Sequence, residues 1–291
     1  MSAVEAVLAL CLPGVIPAVA LSGMEPATLF LIPLAGAVMA ALAAILEFGV
    51  TGSLVGWFIP IAIVANLASA VYLVRRRPRR RASGPSPLWQ PVGLAVVLAG
   101  VSWPLLALQV PNIGFDAHAT WMVHTALIWN GHQAMTRLAS PYYTLSSNSS
   151  YPPLVPAAGA LGYAASGHLS ERLAVAITVL LNASAVGLVG TGLLCTVPPG
   201  APRNRRLGAM VVAFLFCGAV FGIAGIYATN GYADLLWSAG ALAATVYGLV
   251  LPREWRNLAV AWLALLVASL TKDEGFLVGI AISLLIAARY E

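Results

Sequence analysis

The chain has 291 residues, of which 60% are hydrophobic and only 9% charged, and its mean hydropathy is +0.89. No water-soluble domain tolerates that balance, so the composition excludes a soluble enzyme or binding module and requires a membrane protein. The net charge of +5 does not point to nucleic acid, because the arginines form short runs directly after apolar spans.

Apolar runs near 20 residues recur along the chain, each enough to cross a hydrocarbon core of about 30 Å as a helix. No water in that core can satisfy backbone amides, so the expected fold is an all-α polytopic bundle. The first three spans fall near 4–22, 27–48 and 53–74 and form an N-terminal unit, residues 1–74. The first is not a signal peptide, since it lacks a basic start, carries Glu5 and runs into further spans. Residues 75–87, rich in Arg, Pro, Ser and Gly, read as a cytoplasmic linker, and six arginines crowd into Arg75–Arg81. Residues 88–291 form the second module, with spans near 88–110, 172–197, 208–226, 234–251, 258–270 and 276–288 and a large loop at 111–170. The total is about nine spans. Arg203–Arg206, Arg253–Arg256 and Arg289 mark further cytoplasmic ends, and every excursion between arginine clusters has even parity. The expectation is a multi-pass protein of the cytoplasmic membrane with its N-terminus and the 111–170 loop outside. The arginine run orients the protein, with contact to anionic head groups as a second use. Cys11, Cys195 and Cys217 sit in apolar stretches and imply neither disulfide nor metal. No internal repeat supports an inverted-repeat transporter.

The loop carries the chemistry. Asp116 opens it, placed to cap a helix or to act as a base. Trp121, Met122, Leu127, Ile128 and Trp129 predict an interfacial helix over 117–130, with Trp at the headgroup level. His118, His124 and His132 lack the i, i+4 spacing of a helical zinc site. Tyr151-Pro152-Pro153 leads into an apolar stretch at 155–167, too short to span, which predicts a second interfacial or re-entrant helix. Two such helices would frame a cavity open to water and to lipid. Asp234 ends the short turn from Gly231, where capping is the plain alternative to a site role. Lys272, Asp273 and Glu274 join two short apolar segments, so they are expected recessed below the surface, with Lys272 either paired to Asp273 or Glu274 or meeting a ligand phosphate. With Asp116 and Glu171, the acids Asp234, Asp273 and Glu274 gather on the outer face.

Gly114-Phe115-Asp116-Ala117-His118, Tyr151-Pro152-Pro153-Leu154, Gly231-Tyr232-Ala233-Asp234 and Leu270-Thr271-Lys272-Asp273-Glu274-Gly275 occur in this order on one side. This pattern resembles the GT-C superfamily of membrane glycosyltransferases, the group similar to dolichyl- or polyprenyl-phosphate-mannose mannosyltransferases, over about residues 88–291. The resemblance implies a GT-C-like core and transfer of a sugar, with inversion, from a polyprenyl-phosphate carrier to a glycan or lipid acceptor outside the membrane. It implies Asp116 as general base, Lys272 or Arg137 at the donor phosphate, and His118, Tyr151, Asp234, Asp273 and Glu274 around the substrates. No Asp-x-Asp pair is present, so an obligatory metal is not implied and a divalent cation is left open. Family members usually continue through more helices, whereas this chain stops just after a span, which reads as a fragment or a minimal form. The rival class is non-catalytic: a transporter of lipid-linked sugars or a scaffold subunit. A transporter needs a polar pathway to both faces, and the cytoplasmic half of the spans carries no charge. An ion channel is disfavoured by the absence of a polar stripe.

Overall fold

The computed structural model describes residues 3–22, 25–50, 52–75, 89–107, 114, 117–131, 151–198, 200–224 and 229–291. All regular structure among them is helical. In chain order the helices are α1 (Ala3–Cys11), α2 (Val15–Ser22), α3 (Ala27–Gly49), α4 (Leu54–Arg75), α5 (Trp89–Ala107), α6 (Val123–Trp129), α7 (Leu154–Ser166), α8 (Glu171–Cys195), α9 (Arg203–Ala224), α10 (Asp234–Thr245), α11 (Trp255–Ser269) and α12 (Asp273–Tyr290). A π-helical turn, Ala117–Met122, precedes α6, and another, Val246–Val250, extends α10. Five segments among the described residues are long and apolar enough to cross a membrane: Val4–Ser22, α3, α4, α8 and α9.

α8 is the axis of the bundle. It is buried along nearly its whole length and packs against α3, α5, α7, α9 and α10. α3 is almost as deeply covered, resting on α7 and α8 as well as on α1, α2 and α4. The opposite extreme is α4, whose outer face of Ile59, Ile63, Val64 and Leu67 is exposed, as a lipid-facing helix requires.

The first apolar run is not one straight helix. Leu12–Gly14 forms a single 3-10 turn between α1 and α2. Gly14 lies against the main chain of Ile32 and Gly36, and Gly36 against the carbonyl of Leu10, so neither position has room for a side chain. The break has a chemical cause: the carbonyl of Pro13 would normally accept from residue 17, which is proline and has no N–H. Asn66 of α4 supplies the missing donor, its Nδ2 lying 2.9 Å from the Pro13 oxygen.

The two ends of the bundle differ in charge. At one end Arg256 pairs with Glu25 at 3.7 Å. There too the Arg289 guanidinium donates to the carbonyls of Gly248 (2.7 Å) and Leu251 (2.8 Å), which terminate the π-turn after α10. At the other end lie the 117–131 segment, Tyr151–Pro153, Glu171, the 230–234 turn and the 271–274 turn. The short helix α7 leads away from this end into the protein, covered by α1, α3, α6 and α8.

Candidate functional site

The site is built on the turn between α11 and α12. α11 stops at Ser269, and the Thr271 hydroxyl turns back to the carbonyl of Val267. Lys272 then takes an extended conformation (φ −149°, ψ 156°) as the N-cap of α12. Asp273 and Glu274 follow in the first helical turn, where the positive end of the helix dipole favours carboxylates. Extended backbone sends the Lys272 side chain away from its own helix and toward the start of α10. Its Nζ donates to Asp234 Oδ1 at 2.7 Å. Lys272 is the chain's single lysine and is only 8% exposed.

An aromatic layer covers it. The Lys272 ammonium lies 5.2 Å from the ring centroid of Tyr151, a cation–π contact. Tyr151 stacks in turn on Trp121, with centroids 5.3 Å apart and planes 18° from parallel. Tyr151 reaches this position because the N–H of Leu154 bonds to the carbonyl of Leu270 at 2.8 Å, pinning the start of α7 to the end of α11. Burial alone would lower the Lys272 pKa, but the hydrogen bond and charge of Asp234, helped by Tyr151 and Glu274, outweigh it and raise it. The group is an ammonium at neutral pH.

A second turn closes the site. Gly231 has φ +91°, and a side chain there would meet Ala117 Cβ at 2.9 Å and Val175 Cγ2 at 3.3 Å. Both the left-handed backbone and the close approach require glycine. The N–H of Gly114 bonds to the Asn230 carbonyl at 3.1 Å. The two described residues that flank the expected base, Gly114 and Ala117, therefore both rest on the 230–231 turn. Asp116 itself and Arg137 lie outside the described residues, as does the His118 side chain.

Of the expected site residues, Lys272, Asp234 and Tyr151 converge, Glu274 adds its charge to Lys272, and Asp273 is exposed in the same helical turn. Two expectations are corrected. Lys272 pairs with Asp234 rather than with Asp273 or Glu274, because the extended N-cap aims it across to α10. Trp121 is no headgroup anchor: it is fully buried, since the π-turn folds it inward against Tyr151. The sequence reading also passed over Glu47, which is wholly buried near the end of α3 with Gly131 beside its carboxylate. Its one signal was an acid inside an apolar run. His124, three residues after Trp121, is buried with Nε2 unpartnered among the described residues, and burial lowers its pKa. The indole nitrogens of Trp121 and Trp237 are likewise buried without partners there. No protein-family model matches the chain, and no curated protein or solved structure matches it either.

Proposed function

We propose that the chain is an integral membrane glycosyltransferase that moves a sugar from a polyprenyl-phosphate carrier to an acceptor, with inversion at the anomeric carbon. The observation that carries this reading is the lone lysine, recessed and held charged under Tyr151 and Trp121 at the carboxylate-bearing end. A lysine ammonium has three N–H donors, and Asp234 takes one of them, so an anionic oxygen can still bind. In this reading the nine apolar helical segments are the spans of a GT-C-like bundle whose active face is extracytoplasmic.

The reaction then runs as one displacement. Asp116 takes the proton of the acceptor hydroxyl as its oxygen forms the new bond to C1 of the donor sugar. The bond from C1 to the phosphate oxygen breaks, and its electron pair leaves on the polyprenyl phosphate. Lys272 stabilises the charge that develops there, with Arg137 as a second candidate cation. Tyr151, His118, Asp273 and Glu274 are assigned to holding the substrates, and Asp234 to positioning Lys272. Electron-pair and proton balance require no metal, though a divalent cation at the phosphate is compatible with the scheme.

The test is transfer of labelled sugar from a polyprenyl-phosphate donor by the full chain in lipid. Asp116→Asn keeps shape and capping capacity but loses the base, so transfer should fall by roughly 10²–10⁴-fold with donor binding retained. Transfer at the wild-type rate in Asp116→Asn would remove Asp116 from the mechanism.

A further inference from the structure

The end of the bundle away from Lys272 carries a surface of a different kind. α8 runs from Glu171 to Cys195 at that end, and α9 starts back with Arg203-Asn204-Arg205-Arg206 and no acid in its first turn. Arg203 and Arg205 are exposed and make no ion pair among the described residues. Between them, Asn204 Oδ1 accepts from the N–H of Arg205 at 2.9 Å, which leaves its Nδ2 hydrogens for another acceptor. Arg206 lies on the opposite side of the helix, with its Nε buried.

Below these groups the same face of α9 stays uncovered among the described residues. Gly208, Val211 and Leu215 follow Asn204 at alternating four- and three-residue spacing, which on a helix makes one stripe. All three are exposed, as are Leu207 and Val212 beside them. A side chain at Gly208 would begin in open space, with nothing within 4 Å of its Cβ. From Asn204 to Leu215 the stripe runs about 16 Å at 1.5 Å per residue. That is about half of a 30 Å hydrocarbon core, the depth of one leaflet. At that depth it opens into a hollow of about 340 Å³ lined by Phe214, Leu215, Gly218, Ala219, Gly222 and Ile223.

Two guanidinium groups flanking an amide, above an apolar track one leaflet long, match an anionic head on an acyl chain. We infer that this face of α9 is a binding site for one anionic phospholipid. Its phosphate lies between Arg203 and Arg205, and one acyl chain follows Gly208, Val211 and Leu215 into the hollow. A free phosphate would use the arginines and leave the stripe empty. A second copy of the chain, oriented alike in the same membrane, would set Arg203 and Arg205 against their own counterparts, and like charges repel. The site does not depend on the transferase reading.

The test is native mass spectrometry of the full chain in detergent, titrated with dioleoyl phosphatidylglycerol or dioleoyl phosphatidylcholine. Phosphatidylglycerol should be retained saturably and in clear preference to phosphatidylcholine. Arg203→Gln and Arg205→Gln should each weaken it about fivefold, and the double variant about 25-fold, from roughly 1 kcal/mol per cation near an anionic surface. The arginines at 75–81 are intact in every variant, so a loss reports on α9. Gly222→Leu fills the hollow from a position whose Cβ meets nothing within 4 Å, and it should weaken retention with the thermal midpoint kept. Equal retention of the two lipids overturns the site, as does undiminished phosphatidylglycerol binding in the double arginine variant at native thermal stability. Displacement of the lipid by millimolar sn-glycerol 3-phosphate would mark an anion site that needs no chain, and overturns it too. A dimer in the same spectra that Gly222→Leu dissociates would give the face to a second copy and end the lipid assignment.

Discussion

Lys272 and Asp234 form a pair of unequal partners, because the lysine side chain is nearly covered and the aspartate side chain is half-exposed. Removing the lysine leaves a carboxylate that water can solvate. Removing the aspartate charge leaves a buried ammonium with only a ring and distant acids. Asp234→Asn is therefore expected to destabilise by about 1–3 kcal/mol, and Lys272→Met by less, read as thermal midpoints in lipid. The pH dependence follows from the raised lysine pKa. On the lysine side, stability from the pair is fully present below the ordinary lysine value of 10.5, as long as Asp234 is ionised, and is lost as pH rises through the higher folded value. Above neutral pH, the wild type should thus keep its advantage over Asp234→Asn until strong alkali. His124 runs the other way. Its folded pKa lies below 6.5, so the unfolded chain takes up the proton first and stability drops as pH falls below about 6.5. Stability curves from pH 8 to pH 5 should be flatter for His124→Gln than for the wild type; parallel curves would show that His124 stays solvated.

At the level of elements, Asn66 is the residue that lets the first span bend. Its amide replaces the donor that Pro17 cannot give to the Pro13 carbonyl, and within a membrane an unmet carbonyl has no water to turn to. Asn66→Leu should cost about 1–2 kcal/mol, measured by unfolding in mixed detergent, with Gly14 and Gly36 still holding α1 and α2 against α3. Much of the element pattern was legible in the sequence. The expected 27–48 and 53–74 correspond to α3 and α4 within a residue or so at either end, because Pro, Gly and Arg bound clean apolar runs. The misses have physical causes. α9 starts at Arg203 rather than near 208, and α12 at Asp273 rather than 276, because charged residues end an apolar run without ending a helix. Lys272 is covered by Tyr151, and α11, at fifteen residues, is a short apolar helix. The site was visible as residue types, but the Lys272–Asp234 pairing joins positions 38 apart in sequence and depends on α10 lying beside α12. Nothing local in the sequence reports that.

Across the whole molecule, most of the described arginines lie at the end that holds the Arg256–Glu25 pair, and Glu171, Asp234, Asp273 and Glu274 gather at the other. In a cysteine-free background, an impermeant thiol reagent applied to intact cells should label Ser147→Cys and spare Ser83→Cys. The reverse pattern would turn the protein over and put the carboxylate end in the cytoplasm. The packing of α3 has a consequence for biogenesis. Three of its neighbours, α7, α8 and α11, are encoded far downstream, and so is Gly131, beside Glu47. A ribosome therefore delivers α3 well before the surfaces that will cover it exist. Through that interval the carboxylate that ends up wholly enclosed must be met by head groups, water or an insertion factor. The early part of the chain is born with an unfinished, acidic face, and its maturation is timed by the arrival of the last helices.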